Sequence, residues 1–334
     1  MNSNLIINNY FNEDDVILTI AIPTYKRFPL LKETLQSVFN LKFSISVEII
    51  VVDNDPENTD LAIEEMRDFL TYKFKYYKNE SNYGAAGNWN RCLELGRGQL
   101  ITILHDDDLL CENFPAQLDK YLNKFDGFYN IPMVGFGAYF LEQRHESNKV
   151  EIGFFYRGLR NIYNKYRQLI VTEGHEERVD LQNYIFSSHY IATLAVVMDR
   201  KKALAINGFD NYWYPIIDYE FYIRWIRFHG DVVYINTKVS KYRILENSCM
   251  QPDVINGVID KNYELRMKIF NEEHGLVGVD KFAEIMREIE KTTWNINWKK
   301  NDDYEISILD TFKLLLLKLK CLLHVRKIKL RKHM

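Results

Sequence analysis

Hydrophobic and polar positions follow two rhythms along this chain. Val16-Ile-Leu-Thr-Ile-Ala-Ile22 is a short, β-branched apolar run closed by Pro23, the pattern of a buried strand that ends in a turn. Behind Pro29, residues Leu31, Leu35, Val38 and Phe39 fall at helical spacing, so a helix follows. The unit then recurs. Val47 to Val52 predicts a second strand, Asp60 to Leu70 a helix, Lys73 to Tyr77 a third strand, Gly84 to Leu95 a helix and Gln99 to Leu104 a fourth strand. Strands alternating with helices predict an α/β fold with a mostly parallel central sheet and helices on both faces. Farther on, Met133 to Leu141 and Ala192 to Met198 read as strands, Pro215 to Phe228 as a loop leading into a helix, and Val232 to Arg243 as two short strands. From about residue 252 onward the pattern is helical only.

The strand pattern puts two acidic clusters, Asp53-Asn-Asp55 and Asp106-Asp-Asp108, just past the carboxyl ends of core strands, the edge where open α/β sheets bind ligands. Three consecutive carboxylates repel one another unless donors or a cation offset the charge, and hard oxygen ligands suit Mg²⁺ or Mn²⁺. The same letters also suit a solvated turn or helix cap. A carboxylate at Asp53 can accept hydrogen bonds from a nucleobase imide or a ribose hydroxyl, although Asp-Asn-Asp-Pro is equally good turn chemistry. Asp218 and Glu220 open a helix behind Gly208-Phe-Asp210. A carboxylate there is a candidate general base, or else a cap and first-turn acid that complement the helix dipole.

These separated acidic sites, together with Pro23-Thr-Tyr-Lys-Arg27, resemble the family 2 glycosyltransferases of GT-A fold over roughly residues 16 to 245. Pro23-Thr-Tyr25 looks like the family's opening P-x-Y turn, and Ile49-Ile-Val-Val-Asp-Asn-Asp55 resembles its strand and D-D-G-S element. Asn82-Tyr-Gly84 through Asn90 is similar to its N-x-G helix start, and Gly98 to Asp108 to the strand with its D-x-D-D metal motif. Gly208-Phe-Asp210 followed by Asp218 is similar to its G-F-D and E-D pair. The resemblance implies an inverting hexosyltransferase that uses a nucleotide-sugar donor, of UDP type, and Mn²⁺ or Mg²⁺. It implies Asp218 as catalytic base and Asp107 and Asp108 as metal ligands. Pro23, Tyr25, Arg27, Asp53, Asp55, Asn82, Asn90, His105, Asp106 and Arg243 are then the donor-binding set. The sequence departs from the pattern at Asn54 and Pro56 in D-D-G-S, at His105 for the first Asp of D-x-D-D, at Ile217 for the Glu of E-D, and at Leu245, where several relatives carry His. The organisation implied is a GT-A catalytic domain over 1–250, with a nucleotide-sugar half at about 16–110 and an acceptor half at about 125–245. A helical C-terminal extension over 251–334 follows.

Composition changes the picture mainly at the end of the chain. Residues 305 to 334 hold two acids against eight Lys or Arg, a net of +6 in a chain of net charge −3, so the remaining residues carry the opposite excess. Thr311 to Lys332 interleaves leucines with cations, which suits a helix lying in an anionic membrane interface, a helix packed on the domain, or a dimer contact. With the membrane alternative, a lipid-linked saccharide acceptor in surface-polysaccharide synthesis becomes the expected partner. The opening MNSNLIINNYFNEDD has no basic segment followed by an apolar one, so a cytoplasmic protein, peripheral on the inner face of the plasma membrane, is expected. The four cysteines lie far apart without a C-x-x-C pair, against a zinc cluster or disulfide framework. The excess of basic residues gathers on a leucine-rich tail while the main body is acidic, which argues against nucleic acid as a partner. Val52-Asp-Asn-Asp-Pro-Glu57 also resembles the D-x-D start of haloacid-dehalogenase-type phosphatases, but Glu57 stands where Thr or Val is usual and no G-D-x-x-x-D follows. A non-catalytic nucleotide-binding or membrane-scaffolding module of the same fold is the remaining alternative.

Overall fold

The structure is a computed structural model that describes residues 1–9, 15–125, 127–128, 130–143, 172–186, 191, 193–245, 251–272, 279–297 and 308–331. Strands β1 (Ser3–Asn8), β2 (Leu18–Thr24), β3 (Val47–Asp53), β4 (Lys75–Asn79) and β5 (Leu100–Ile103) alternate after β2 with helices α1 (Phe28–Phe39), α2 (Thr59–Glu65) and α3 (Gly84–Leu95). Then come β6 (Leu109–Leu110), helix α4 (Phe114–Leu122), β7 (Val134–Glu142), β8 (Glu176–Val179), β9 (Met198–Asp199) and β10 (Val232–Ile244).

The main sheet has the order β1-β4-β3-β2-β5-β9. Its centre, β4-β3-β2-β5, is parallel, while β1 and β9 close the edges antiparallel. Every residue of β2 is buried, as expected of a parallel strand covered on both faces, and this explains its unbroken apolar run. The chain steps outward from β2 to β3 and β4, then returns to the other side of β2 as β5. The strand order therefore reverses at β2, and the crevice outside the carboxyl ends of β2, β3 and β5 lies at that switch point. The core beneath it includes Leu18, Ile20, Ile22, Leu31, Leu35 and Val51.

Some predicted elements are corrected. The segment expected as two short strands at Val232 to Arg243 is one strand, β10. It pairs with β6, β7 and β8 and carries register shifts between Ile235 and Lys238 and between Lys238 and Ser240; those irregularities break the period that a sequence reader follows. The strand expected at Ala192 to Met198 is reduced to Met198–Asp199, with Ala192 outside the described residues. The residue at its centre, Ala195, adopts a left-handed φ of 57°, which a continuous strand does not tolerate. β1 and β8, both short and partly exposed, are strands the apolar pattern does not reveal. The poorly patterned stretch 144–171 lies outside the described residues.

The described chain divides into two compact units, one of residues 1–142, 173–212 and 217–244 and the other of 143–172, 213–216 and 245–334. The first holds the main sheet and another sheet of order β6-β10-β7, with β8 also paired to β10. In the second, the helices Pro252–Glu272, Val279–Asn297 and Ile308–Arg331 pack through Phe270 against Phe282, with ring centroids 6.2 Å apart, and through Cys321 Sγ, 3.6 Å from Met286 Sδ. Arg266 Nη2 donates to Glu290 Oε1 at 2.6 Å between the first two of these helices.

Candidate functional site

At the end of β3, Asp53 is 1% exposed, and so buried a carboxylate is sustained only by donors. Tyr76 Oη donates to its Oδ2 at 3.0 Å, Lys78 Nζ to the same oxygen at 2.9 Å, and the Asp55 backbone N–H to its Oδ1 at 2.9 Å. Tyr76 and Lys78 sit two residues apart on β4, with Lys78 directly opposite Asp53 in the ladder. Asp55 is also buried; Lys26 Nζ lies 3.7 Å and Lys78 Nζ 4.0 Å from its carboxylate. Burial pushes the Tyr76 phenol well up, and the charges of Asp53, Asp55 and Asp106 push it the same way, so the acids after β3 and those after β5 share one electrostatic neighbourhood.

The loop carrying Asp53 and Asp55 is tied down by asparagines, of which sequence reading singled out Asn54 and Asn82 but not Asn79 and Asn88. Asn54 Nδ2 donates to Asn82 Oδ1 at 2.7 Å, while Asn54 Oδ1 accepts from the Tyr83 N–H at 2.9 Å and from Asn79 Nδ2 at 3.0 Å. Asn88 accepts from Asn79 Nδ2 at 2.9 Å and donates to the Val52 carbonyl at 3.1 Å. Asn82 in turn accepts the Gly84 N–H at 2.9 Å. Gly84, at φ 72°, starts α3 in a conformation that favours glycine. The departure Asn54 from D-D-G-S is thus a structural amide: an acid there would have only acceptors to offer and would lose the donor that holds Asn82.

After β5 the chain turns sharply through His105, Asp106, Asp107 and Asp108, the Asp108 N–H returning to the His105 carbonyl at 3.1 Å. The three carboxylates have different surroundings. Asp106, fully buried, accepts from Thr24 Oγ1 at 2.7 Å and pairs with the Arg27 guanidinium. Burial raises its carboxyl to about 6 although Arg27 and Thr24 pull the other way. Asp107, 8% exposed, accepts from Arg27 Nη1 through Oδ2 at 2.8 Å. Asp108, 1% exposed, has Oδ1 bound by the Arg243 N–H at 2.9 Å, and its Oδ2 is buried without a hydrogen-bond partner. Thr34 Oγ1 braces the turn through the Asp106 and Asp108 carbonyls at 2.9 and 2.8 Å. Arg243, buried on β10, donates from Nε to the Asp107 carbonyl at 2.8 Å and from Nη2 to Glu33 at 2.7 Å. Arg243 therefore braces the acidic turn from behind.

His105 stacks on Trp89 of α3, with centroids 5.0 Å apart and 29° between planes. Its Nδ1 lies 3.6 Å from Asp108 Oδ2, and its Nε2 is buried without a partner. Burial lowers its pKa, but the attraction of Asp108, and after it Asp107 and Asp218, outweighs burial and raises it. His105, Asp107 and Asp108 offer one ligand atom each, all within 4.8 Å of one another. Ligands on opposite sides of one ion at about 2.1 Å each stand little more than 4 Å apart, so the three fit a divalent cation with small side-chain rotations. The unpartnered buried Oδ2 of Asp108 is the oxygen such an ion would satisfy. Trp89 carries no motif, and only its place in α3 beside the polar Asn88 and Asn90 sets it apart in the sequence.

Asp218 lies in the first turn of the helix Ile217–His229. It is 7% exposed, and Thr193 Oγ1 donates to its Oδ2 at 2.9 Å. Ring contacts join its helix to the acidic turn although more than a hundred positions separate them: His105 stacks on Trp89, Trp89 meets Phe209 edge-on at 5.1 Å, and Phe209 packs 4.3 Å from Phe221 of that helix. Gly208-Phe-Asp210 leads toward that helix and is clamped by Asn90, whose Oδ1 accepts the Phe209 N–H at 2.7 Å and whose Nδ2 donates to the Phe209 carbonyl at 2.8 Å. Gly208, at φ 57°, leaves room for this clamp: a Cβ there would lie 2.2 Å from Asn90 Oδ1. Both ends of the Asn90 amide are thereby used on backbone, which makes Asn90 a positioning residue. Pro23 lies within β2, one residue before its end, and Tyr25, 43% exposed, follows the strand beside the Lys26 ammonium, 5.4 Å from its ring centroid.

Residues 19–175 match the profile of Glycosyl transferase family 2. Among curated proteins, an uncharacterized protein of Mycobacterium tuberculosis is 28% identical over 211 residues, 62% of this chain and 61% of that protein. The abequosyltransferase RfbV of Salmonella typhimurium is 30% identical over 116 residues, 34% of this chain and 35% of that protein. A Campylobacter jejuni GalNAc(5)-diNAcBac-PP-undecaprenol beta-1,3-glucosyltransferase is 28% identical over 134 residues, 40% of this chain and 41% of that protein. The matched segments thus span less than two thirds of these relatives. Among solved structures, S. aureus TarS 1-349 in complex with UDP-GlcNAc superposes with a TM-score of 0.54 at 12% identity, covering 93% of this chain and 82% of that one. GalNAc-T7 with UDP, GalNAc and Mn²⁺ gives 0.53 at 13% identity, covering 91% and 55%. The fold is of GT-A type, with a helical C-terminal region.

Proposed function

We propose that this chain, a member of glycosyltransferase family 2, moves a hexose or related sugar from a UDP-type nucleotide-sugar to an acceptor hydroxyl, with inversion at the anomeric carbon. The observation that carries the proposal is the placement of Asp53 and the acidic turn at the sheet's switch point, with the helix of Asp218 joined to that turn through Trp89, Phe209 and Phe221. UDP is favoured as the carrier because structures of this fold hold UDP-GlcNAc or UDP.

In this mechanism Asp53, fixed by Tyr76 and Lys78, receives the base and ribose end of the donor beside Asp55 and the Asn82 turn. Pro23, near the end of β2, and Tyr25, just past it, line the donor side of this edge. Asp107 and Asp108, with His105 beside them, would hold Mn²⁺ or Mg²⁺. A divalent cation there supplies positive charge against the charge that gathers on the departing nucleoside diphosphate. Arg27, already paired with Asp106 and Asp107, adds a second cationic group on the phosphate side. Arg243 keeps the acidic turn from drifting as its charge is engaged. Asp218, oriented by the Thr193 hydroxyl, takes the proton of the acceptor hydroxyl as its oxygen bonds to the anomeric carbon from the face opposite the diphosphate. The test is a screen of purified protein against nucleotide-sugars with Mn²⁺ or Mg²⁺, reading released nucleoside diphosphate. One donor turned over only with cation is expected; no release from any donor, with or without cation, would sink the proposal.

A lipid-linked saccharide in surface-polysaccharide assembly is proposed as acceptor, in keeping with the undecaprenol-linked name of the Campylobacter relative. Among the described residues no helix is long and apolar enough to cross a membrane. The helix Ile308–Arg331, however, buries Leu314 and Cys321 and exposes Phe312, Leu315, Leu316, Leu319, Leu322 and Leu323 at helical spacing, with the exposed cations Lys313, Lys318 and Lys320 beside them. Such a stripe suits an anionic leaflet, where each near-surface cation contributes about 1 kcal/mol. The wild-type protein should sediment with phosphatidylglycerol-containing vesicles but not with neutral ones, and Leu316→Glu with Leu319→Glu should remain in the supernatant while still releasing nucleoside diphosphate. Equal sedimentation of wild type and variant would remove the membrane role.

A further inference from the structure

The acidic turn is unusual in its donor atoms. Of the four side chains His105 to Asp108, Asp106 is turned into the protein and spent on Thr24 and Arg27. The return of the Asp108 N–H to the His105 carbonyl folds the first and fourth residues toward each other. The pair that results is imidazole and carboxylate, with Nδ1 3.6 Å from Oδ2. His105 Nε2 and that same Asp108 Oδ2 are both buried without a hydrogen-bond partner, a cost that persists only where something else satisfies them. Trp89 holds the ring plane by stacking, and Arg243 fixes the other Asp108 oxygen, so imidazole and carboxylate are set in place from both sides. Asp107 completes the group, its ligand oxygen within 4.8 Å of the others.

We propose that His105 coordinates the divalent cation through a ring nitrogen, and that this nitrogen makes the site prefer a transition ion such as Mn²⁺ over Mg²⁺. The inference rests on the cation role assigned to the turn under Proposed function and goes beyond it by naming the residue that selects the ion. Mg²⁺ takes oxygen ligands and binds imidazole poorly, whereas first-row transition ions accept imidazole readily. An Asp at position 105 would give an all-oxygen turn with no such preference. The imidazole and the two carboxylates each offer one ligand atom, all within 4.8 Å of one another, so one ion engages all three, whereas a phosphate oxygen would be repelled by Asp107 and Asp108.

The experiment uses the full chain with Mn²⁺ alone and with Mn²⁺ plus UDP. Pulsed electron paramagnetic resonance of bound Mn²⁺ should show the nitrogen coupling of a directly bound imidazole in the wild type, and His105→Asp should bind Mn²⁺ without it. In competition titrations, the preference for Mn²⁺ over Mg²⁺ should fall about ten- to a hundredfold in His105→Asp, the scale on which even outer-shell partners change metal affinity. Bound Mn²⁺ lacking nitrogen coupling in the wild type, with an unchanged Mn²⁺-to-Mg²⁺ ratio in the variant, overturns the role of His105 while leaving the cation in place. Absence of any bound Mn²⁺, with or without UDP, overturns the cation role and this inference together. The wild-type spectrum decides the question even if the variant fails to fold.

Discussion

Asp218→Asn lowers the rate of sugar transfer at saturating donor by about 10²- to 10⁴-fold, the usual contribution of a positioned general base, and leaves donor affinity unchanged. Asn has the shape of Asp: its oxygen keeps the Tyr219 N–H, which the native carboxylate accepts at 2.8 Å, and its amide N–H can donate to the Thr193 hydroxyl, 2.9 Å from the other oxygen. The variant therefore loses the capacity to take a proton and little else. Steady-state release of nucleoside diphosphate, with the donor Kd measured in parallel, checks this. An Asp218→Asn enzyme that transfers at the wild-type rate would show that the acceptor proton leaves by another route.

Asp107→Ala removes most cation-dependent turnover, by about 10²- to 10³-fold, the scale on which loss of one group that stabilises developing charge is felt. It also weakens donor binding in the presence of cation, because one carboxylate of the His105, Asp107 and Asp108 group is gone. The fold should survive: Asp107 makes its structural contact through its carbonyl, which Arg243 Nε binds at 2.8 Å and the substitution leaves intact. Arg27 keeps Asp106 as partner. Cation titration of turnover is the measurement. Wild-type turnover by Asp107→Ala at saturating Mn²⁺ would take the metal role away from this residue.

The parallel centre of the main sheet was legible in the sequence because strands covered on both faces must be apolar throughout. The runs from Val16 and Val47 and the one ending at Leu104 are the buried strands β2, β3 and β5 within a residue or two at each end. The strands β1 and β8 were not, since a short, partly exposed strand needs no such run. β10 was broken into two by the register shifts around Lys238, where pairing and not side-chain pattern keeps the strand continuous. The acids of the site were legible as letters because buried charge at strand ends is rare. Their division of labour was not: it depends on which oxygen meets Arg27, Thr24 or Arg243, and these partners lie far apart in sequence. Asn90 illustrates the limit. Motif likeness put it with the donor-binding residues, and only the backbone of Phe209, 119 positions away, reveals its clamp. Trp89, Tyr76 and Lys78 were missed for the same reason, since an aromatic in a helix or a Tyr-Tyr-Lys strand signals nothing until its neighbour across the fold is known.

The most direct test of the central claim is an equilibrium titration of the donor found in the screen, with Mn²⁺ present, into wild type, Asp218→Asn and Asp107→Ala, followed by single-turnover transfer in each. A nucleotide-sugar transferase built as described binds donor equally in wild type and Asp218→Asn, transfers only in wild type, and loses both binding and transfer in Asp107→Ala. Donor binding that is insensitive to Mn²⁺ and identical in all three proteins, with transfer intact in both variants, would contradict it.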